Sequence, residues 1–153
     1  MSFAALKSLA PNSVDVVFCS NFFEHLPDKA ALASTLREAW RCLRPGGRLV
    51  CLGPNIKYLP GGYWDFWDHY LPLTELSLSE GLELTGFRVE RCVARFLPYT
   101  MVGGIRWPTW VISSYLRLRF LWPLRGRQFL VVAVKPSLPV APSLQPAASR
   151  CES

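Results

Sequence analysis

The sequence predicts an α/β domain built on a parallel crossover, and three observations carry that expectation. The run Ser13–Ser20 (SVDVVFCS) has a continuous apolar centre rich in β-branched residues, the pattern of a strand buried on both faces. A helical period follows, in which Leu32, Leu36, Ala39, Trp40 and Leu43 recur at spacings of three and four. The turn Arg44-Pro-Gly-Gly47 then stops the helix and leads into a second apolar run, Arg48–Gly53. Strand, helix, turn and strand in this order make a parallel crossover, which is right-handed in nearly every case.

Each element has its own boundary signal. Asp28 is placed to cap the helix that runs through Leu43. Pro54-Asn55 closes the second strand, and residues 56–73 form an aromatic loop broken by Gly and Pro. Thr74 caps a helix over residues 75–85 that ends at Gly86, and the strand Phe87–Phe96 follows. Residues 97–127 form an insertion rich in Trp, Leu and Arg. Within it Val111, Tyr115, Leu118 and Trp122 recur at helical spacing, which predicts one helix over Trp110–Trp122. The run Gln128–Lys135 is the last strand, expected to be antiparallel. The domain organisation is therefore residues 1–136, with the insertion at 97–127, and a Pro/Ser/Ala-rich tail at 137–153 that has too little apolar material to fold.

Bulk composition narrows the function classes. The chain has 153 residues, room for one domain, of which 50% are apolar and 18% charged. Seventeen Lys and Arg face eleven Asp and Glu, a net charge of +6 that suits nucleic acid, anionic lipid or an acidic cofactor without choosing among them. Five cysteines without a C-x-x-C pair do not make a fully paired disulfide scaffold. Two histidines and no clustering of ligands along the sequence give no expectation of a metal site. The N-terminus lacks the pattern of a signal peptide and no apolar run reaches 18 residues, so a cytoplasmic protein, at most peripheral to a membrane, is expected.

Three motifs carry a family resemblance. Asn12–Leu26 (NSVDVVFCSNFFEHL) resembles the fourth-strand motif of class I S-adenosylmethionine-dependent methyltransferases of the type 11 kind, in which an acidic residue opens the strand and Glu-His-Leu follows it. Leu43–Val50 (LRPGGRLV) is similar to that family's turn into its fifth strand. Asp68–Leu76 with Leu84–Val89 looks like the next loop, helix and strand. The glycine-rich loop that follows the family's first strand has no counterpart here. The resemblance therefore implies a partial Rossmann-like methyltransferase sheet, its strands equivalent to the fourth to seventh, representing the C-terminal half of the domain with the N-terminal half absent. Its cofactor would be S-adenosylmethionine once that missing half is supplied, and the isolated chain is expected to be inactive.

The implied site lies where open α/β sheets bind ligands, beyond the carboxyl ends of their parallel strands. By resemblance Ser20, Asn21 and Phe22 line the methionine end of the cofactor. His25, of the Glu24-His25 pair, is the candidate proton acceptor, because imidazole takes and returns a proton near neutral pH. It is also open to reading as a pocket-lining or helix-entry residue. His69, of the Asp68-His69 pair, is a second catalytic candidate, or one half of a solvated loop pair. Segment 106–127 carries five arginines and three tryptophans. It reads as a lid over the substrate cavity or as an interfacial segment touching a membrane, with nucleic acid the least favoured partner. The expected activity is methyl transfer to a small-molecule or lipid-like acceptor. The alternative is a non-catalytic methyltransferase-like remnant, an interaction module that self-associates or binds a partner chain at an exposed strand edge.

Overall fold

The computed structural model describes residues 6–99, 108–137 and 151–152. Its first strand, β1 (Val14–Ser20), leads through a 3-10 turn at Phe23–His25 into helix α1 (Lys29–Cys42) and strand β2 (Leu43–Pro54). Helix α2 (Glu75–Leu84), strand β3 (Arg88–Leu97), two short helices α3 (Thr109–Arg117) and α4 (Trp122–Arg125), and strand β4 (Gln128–Val134) complete the order. The caps are those the sequence marks. Asp28 accepts the amide of Ala31 at 2.7 Å, and Thr74 and Ser77 form a reciprocal capping box on α2.

The strands form one sheet in the order β1-β2-β4-β3, with a two-residue strand, Cys151–Glu152, added parallel to the outer edge of β3. The rest of the expected tail, 138–150 and 153, lies outside the described residues. β1 and β2 are parallel, while β4 is antiparallel to both β2 and β3. Strands β1, β2 and β3 therefore run in one direction and end on the same rim.

Two expectations are corrected here. Sheet and helices run from Val14 to Val134, nearly the whole of the described chain, so the fold is not a partial sheet confined to a C-terminal half with the N-terminal half absent. The physical reason is that these elements enclose a continuous core of their own. Val17 and Cys19 of β1, Leu49 and Cys51 of β2, and Val131 and Ala133 of β4 share one sheet face, buried beneath Leu32, Leu36 and Ala39 of α1 and Leu78 and Leu82 of α2. The second correction concerns β1, which is not buried on both faces. Val16 and Phe18 are 57% and 55% exposed, because the core under the two helices takes only alternate residues of the strand.

The insertion also differs from expectation. Helix α3 stops at Leu118, and a 3-10 turn at Arg119–Leu121 separates it from α4. The indole Nε1–H of the buried Trp122 donates back to the Tyr115 carbonyl at 3.0 Å, satisfying a carbonyl that a continued helix would have used. The Tyr115 hydroxyl in turn donates to the Phe96 carbonyl at 2.9 Å, tying α3 to the carboxyl end of β3. Among the described residues no helix is long and apolar enough to cross a membrane.

Candidate functional site

The site is built at the rim where β1, β2 and β3 end. Ser20 closes β1, and Asn21 follows with φ 46°, a left-handed conformation that Asn adopts more readily than most residues. Its amide donates to the Leu52 carbonyl at 2.9 Å, and its Oδ1 accepts from Gln128 Nε2 at 3.3 Å, so one exposed residue is held by both β2 and β4. The next residue, Phe22, is half-buried against the core, its ring 5.8 Å from that of Phe23. The expected cofactor-binding residues thus sit together on the strand-end rim.

The chain then makes its 3-10 turn and buries Glu24, which is 3% exposed. The Glu24 carbonyl accepts the amides of Tyr70 and Leu71 at 2.8 and 3.1 Å. Those two bonds pin the aromatic loop against the turn and bring the two expected catalytic histidines together. His25 and His69 have ring centroids 5.2 Å apart in an edge-on arrangement. Sequence reasoning treated Glu24-His25 and Asp68-His69 as separate pairs, yet they form one cluster. His25 Nδ1 lies 2.9 Å from the Asp68 carbonyl and 3.1 Å from its carboxylate Oδ2.

His69 is not a solvated loop residue. It is buried, stacked on Phe66 at 4.8 Å, and its Nδ1 donates to the Tyr63 carbonyl at 3.0 Å. Burial holds its pKa below the ordinary histidine range, a shift partly opposed by the Tyr63 carbonyl, so the ring is neutral at physiological pH. Desolvation pushes the Glu24 carboxyl up, against the weaker lowering effects of a backbone hydrogen bond and His25. Among the described residues the buried Glu24 Oε1 has no hydrogen-bond partner. Tyr63 is fully buried beneath the loop, its hydroxyl donating to the Leu71 carbonyl at 2.7 Å. Nothing in the local sequence signals this cluster, since the contact from His25 to Asp68 spans 43 residues.

A second network missed by sequence reasoning fixes the rim from below. Asn55, fully buried after β2, donates through Nδ2 to Glu75 Oε2 at 2.6 Å and to the Ala94 carbonyl at 3.0 Å. Lys57 also pairs with the Glu75 carboxylate. These bonds tie the start of the aromatic loop to α2 and β3. Beside the rim, the insertion presents a cavity of about 280 Å³ lined by Trp110, Val111, Tyr115, Leu118, Leu121 and Leu124.

Comparison with known proteins places this geometry. The family model described as "Methyltransferase domain" matches residues 1–51. The demethylmenaquinone methyltransferase of Symbiobacterium thermophilum is 32% identical over 73 residues, which are 42% of this chain and 29% of that protein. A SAM-dependent methyltransferase from Archaeoglobus fulgidus superposes with a TM-score of 0.61 at 22% identity, over 87% of this chain and 64% of that one. The Haloferax volcanii complex of the Trm112 methyltransferase activator with a methyltransferase gives a TM-score of 0.60 at 20% identity, over 88% of this chain and 59% of the matched one. The chain therefore spans less than a third of the curated relative and about three-fifths of these structures. The likeness runs along nearly all of the present chain, which corrects its assignment to a C-terminal half alone. Together these findings show that the chain has the S-adenosylmethionine-dependent methyltransferase fold.

Proposed function

We propose that the chain takes part in methyl transfer from S-adenosylmethionine to a small, lipid-like acceptor. The observation that carries this reading is the meeting of His25, Asp68 and His69 beside Ser20–Phe22, on the rim where ligands of this fold class bind. The rim suits the methionine end of the cofactor. Ser20 and Asn21 are exposed, polar and held by neighbouring strands, and Phe22 supplies an apolar wall. The cofactor brings a sulfonium-bound methyl group, electrophilic without help from the protein.

The chain's own residues then do the remaining work. Asp68 orients His25 through Nδ1, leaving Nε2 with the lone pair that takes the proton the acceptor gives up as it gains the methyl group. Neutral His69, with Phe66 and Tyr63 around it, walls the reacting centre and excludes water. A lipid-like acceptor is supported by two observations. The curated relative acts on demethylmenaquinone, and the insertion beside the rim exposes Trp110, Phe120 and Leu124 at 70–72% together with Arg117 and Arg119. That mixture suits contact with a membrane surface, apolar rings inward and guanidinium groups toward headgroups. A partner chain is a further element of the proposal. The Haloferax relative is seen with an activator, and here β1 pairs only with β2 among the described residues, which leaves its other edge for a partner strand.

Transfer of labelled methyl from S-adenosylmethionine to the reduced, quinol form of demethylmenaquinone in anionic vesicles tests the proposal. His25→Ala should lower the rate about 100-fold or more while leaving the far-UV circular dichroism unchanged, since His25 is exposed. Transfer at the wild-type rate by His25→Ala would remove His25 from the chemistry. No transfer by the wild type to this or related quinols would remove the lipid-like acceptor.

A further inference from the structure

We propose that Glu24, His25 and His69 form a binding site for a divalent transition-metal ion of the zinc type. One donor atom from each of these residues lies within 4.8 Å of the others. Two imidazoles and a carboxylate are a donor set that zinc accepts, and three protein ligands leave a coordination position open.

The second, independent observation is the state of Glu24. Glu24 is only 3% exposed, and among the described residues its Oε1 has no hydrogen-bond partner. A buried carboxylate oxygen without a donor is costly, and a cation is one of the few partners that removes that cost completely. The histidines are prepared in the manner of metal ligands. His69 Nδ1 is engaged by the Tyr63 carbonyl, and His25 Nδ1 by the carbonyl and carboxylate of Asp68. In each ring Nδ1 carries the proton, so Nε2 keeps its lone pair. A carboxylate or carbonyl behind the imidazole is the arrangement that fixes tautomer and orientation in metal sites. The scaffold is also held. The Glu24 carbonyl accepts two amides from the loop that carries His69, so the ligands on either side of the cluster cannot drift apart independently. Ligand atoms about 3.3 Å apart suit tetrahedral zinc–nitrogen and zinc–oxygen bonds, so binding draws the three side chains inward by rotamer adjustment.

An ion on Nε2 of His25 occupies the lone pair that proton transfer uses. The ion-loaded and proton-accepting states of the cluster therefore exclude each other, and the metal site stands or falls by its own measurement, whatever becomes of the methyl-transfer proposal.

That measurement is titration of the chelator-treated full chain with Co²⁺, followed by visible absorption. One equivalent should bind with the d–d bands of a low-coordinate nitrogen/oxygen site, and Zn²⁺ should displace it. Glu24→Gln keeps the shape of the side chain, and His25 is exposed. Glu24→Gln and His25→Ala should therefore retain the circular dichroism of the wild type and weaken Co²⁺ binding by more than about 100-fold, beyond the roughly 10–100-fold seen on losing an outer-shell partner. Asp68→Ala should weaken it about tenfold through the orientation of His25 alone. Absence of these bands would overturn the proposal. So would a thiolate-to-cobalt charge-transfer band, or affinity unchanged in both Glu24→Gln and His25→Ala.

Discussion

Cys19 lies in β1 and Asn21 just beyond its end, where the left-handed turn gives it the opposite environment. Cys19 points into the core, and desolvation pushes its thiol up to about 11 from 9.0. Because the folded value is raised, the stabilising contribution of the protonated thiol is fully present below pH 9.0 and is lost as pH climbs through about 11. At about pH 8 its thiolate fraction should be roughly 100-fold below that of an unperturbed thiol. Alkylation of native protein, followed by mass spectrometry, should leave Cys19 unmodified until the chain is denatured; rapid labelling of native protein would contradict the burial. Asn21 points outward with φ 46°. Asn21→Val, a β-branched residue forced into that conformation, should lose about 1–2 kcal/mol in denaturant unfolding, whereas Asn21→Gly should lose less. The sequence makes this strand end legible, since a buried run ending in Ser-Asn marks both the rim and its polar residues. It does not reveal that Glu24 and His69 meet. Their encounter depends on how an aromatic loop folds back, through the Tyr70 and Leu71 amides, onto a carbonyl far away in sequence.

Elements with a local signal for both ends form where the sequence marks them, and elements with only a period do not. Helix α1 has its Asp28 cap and its apolar stripe and spans Lys29–Cys42, although Arg44-Pro-Gly-Gly47, expected as a turn before a strand at Arg48, lies within β2, which starts at Leu43. Asp28→Ala leaves the Ala31 amide without its 2.7 Å acceptor and should cost about 1 kcal/mol, read as a lower urea midpoint at unchanged m. An unchanged midpoint would mean that water replaces the cap fully. The insertion has helical spacing but no internal stop signal before Trp122. Periodicity alone therefore extends a helix through Leu118, where the structure ends it. The competing interaction is tertiary and side-chain specific. Trp122 is drawn into the space between Phe96, with rings 4.8 Å apart and nearly perpendicular, and the Tyr115 carbonyl. Neither contact can be read from spacing along the segment.

At the scale of the whole molecule the sheet is asymmetric, and that asymmetry makes a prediction. Both long helices cover one face, where Val17, Cys19, Leu49, Cys51 and Val131 are buried. On β1 the alternate residues Val16 and Phe18 remain more than half exposed, although the strand's composition reads as buried on both sides. β1 is also an edge strand, paired only with β2 among the described residues, so its outer backbone groups are available to another strand. Natural edges are usually blunted by charge, proline or a bulge. Here the only charged residue within β1 is Asp15, which pairs with Arg44 at 2.9 Å near the start of the strand and leaves the stretch from Val16 to Ser20 without a charge. The register of β1 shifts only between Val14 and Val16, so the apolar edge from Val16 to Ser20 is regular and favours pairing with a second copy. Sedimentation of the full chain should therefore show association that increases with concentration. Phe18→Lys places a charge on the exposed face of the strand, away from the core packed by Val17 and Cys19, and should shift the chain toward monomer without lowering its thermal midpoint by more than about 2 °C. A wild type that stays monomeric across the accessible range would refute self-association at this edge. Association unaffected by Phe18→Lys would assign the contact to another surface, the exposed rings of the insertion being the next to vary.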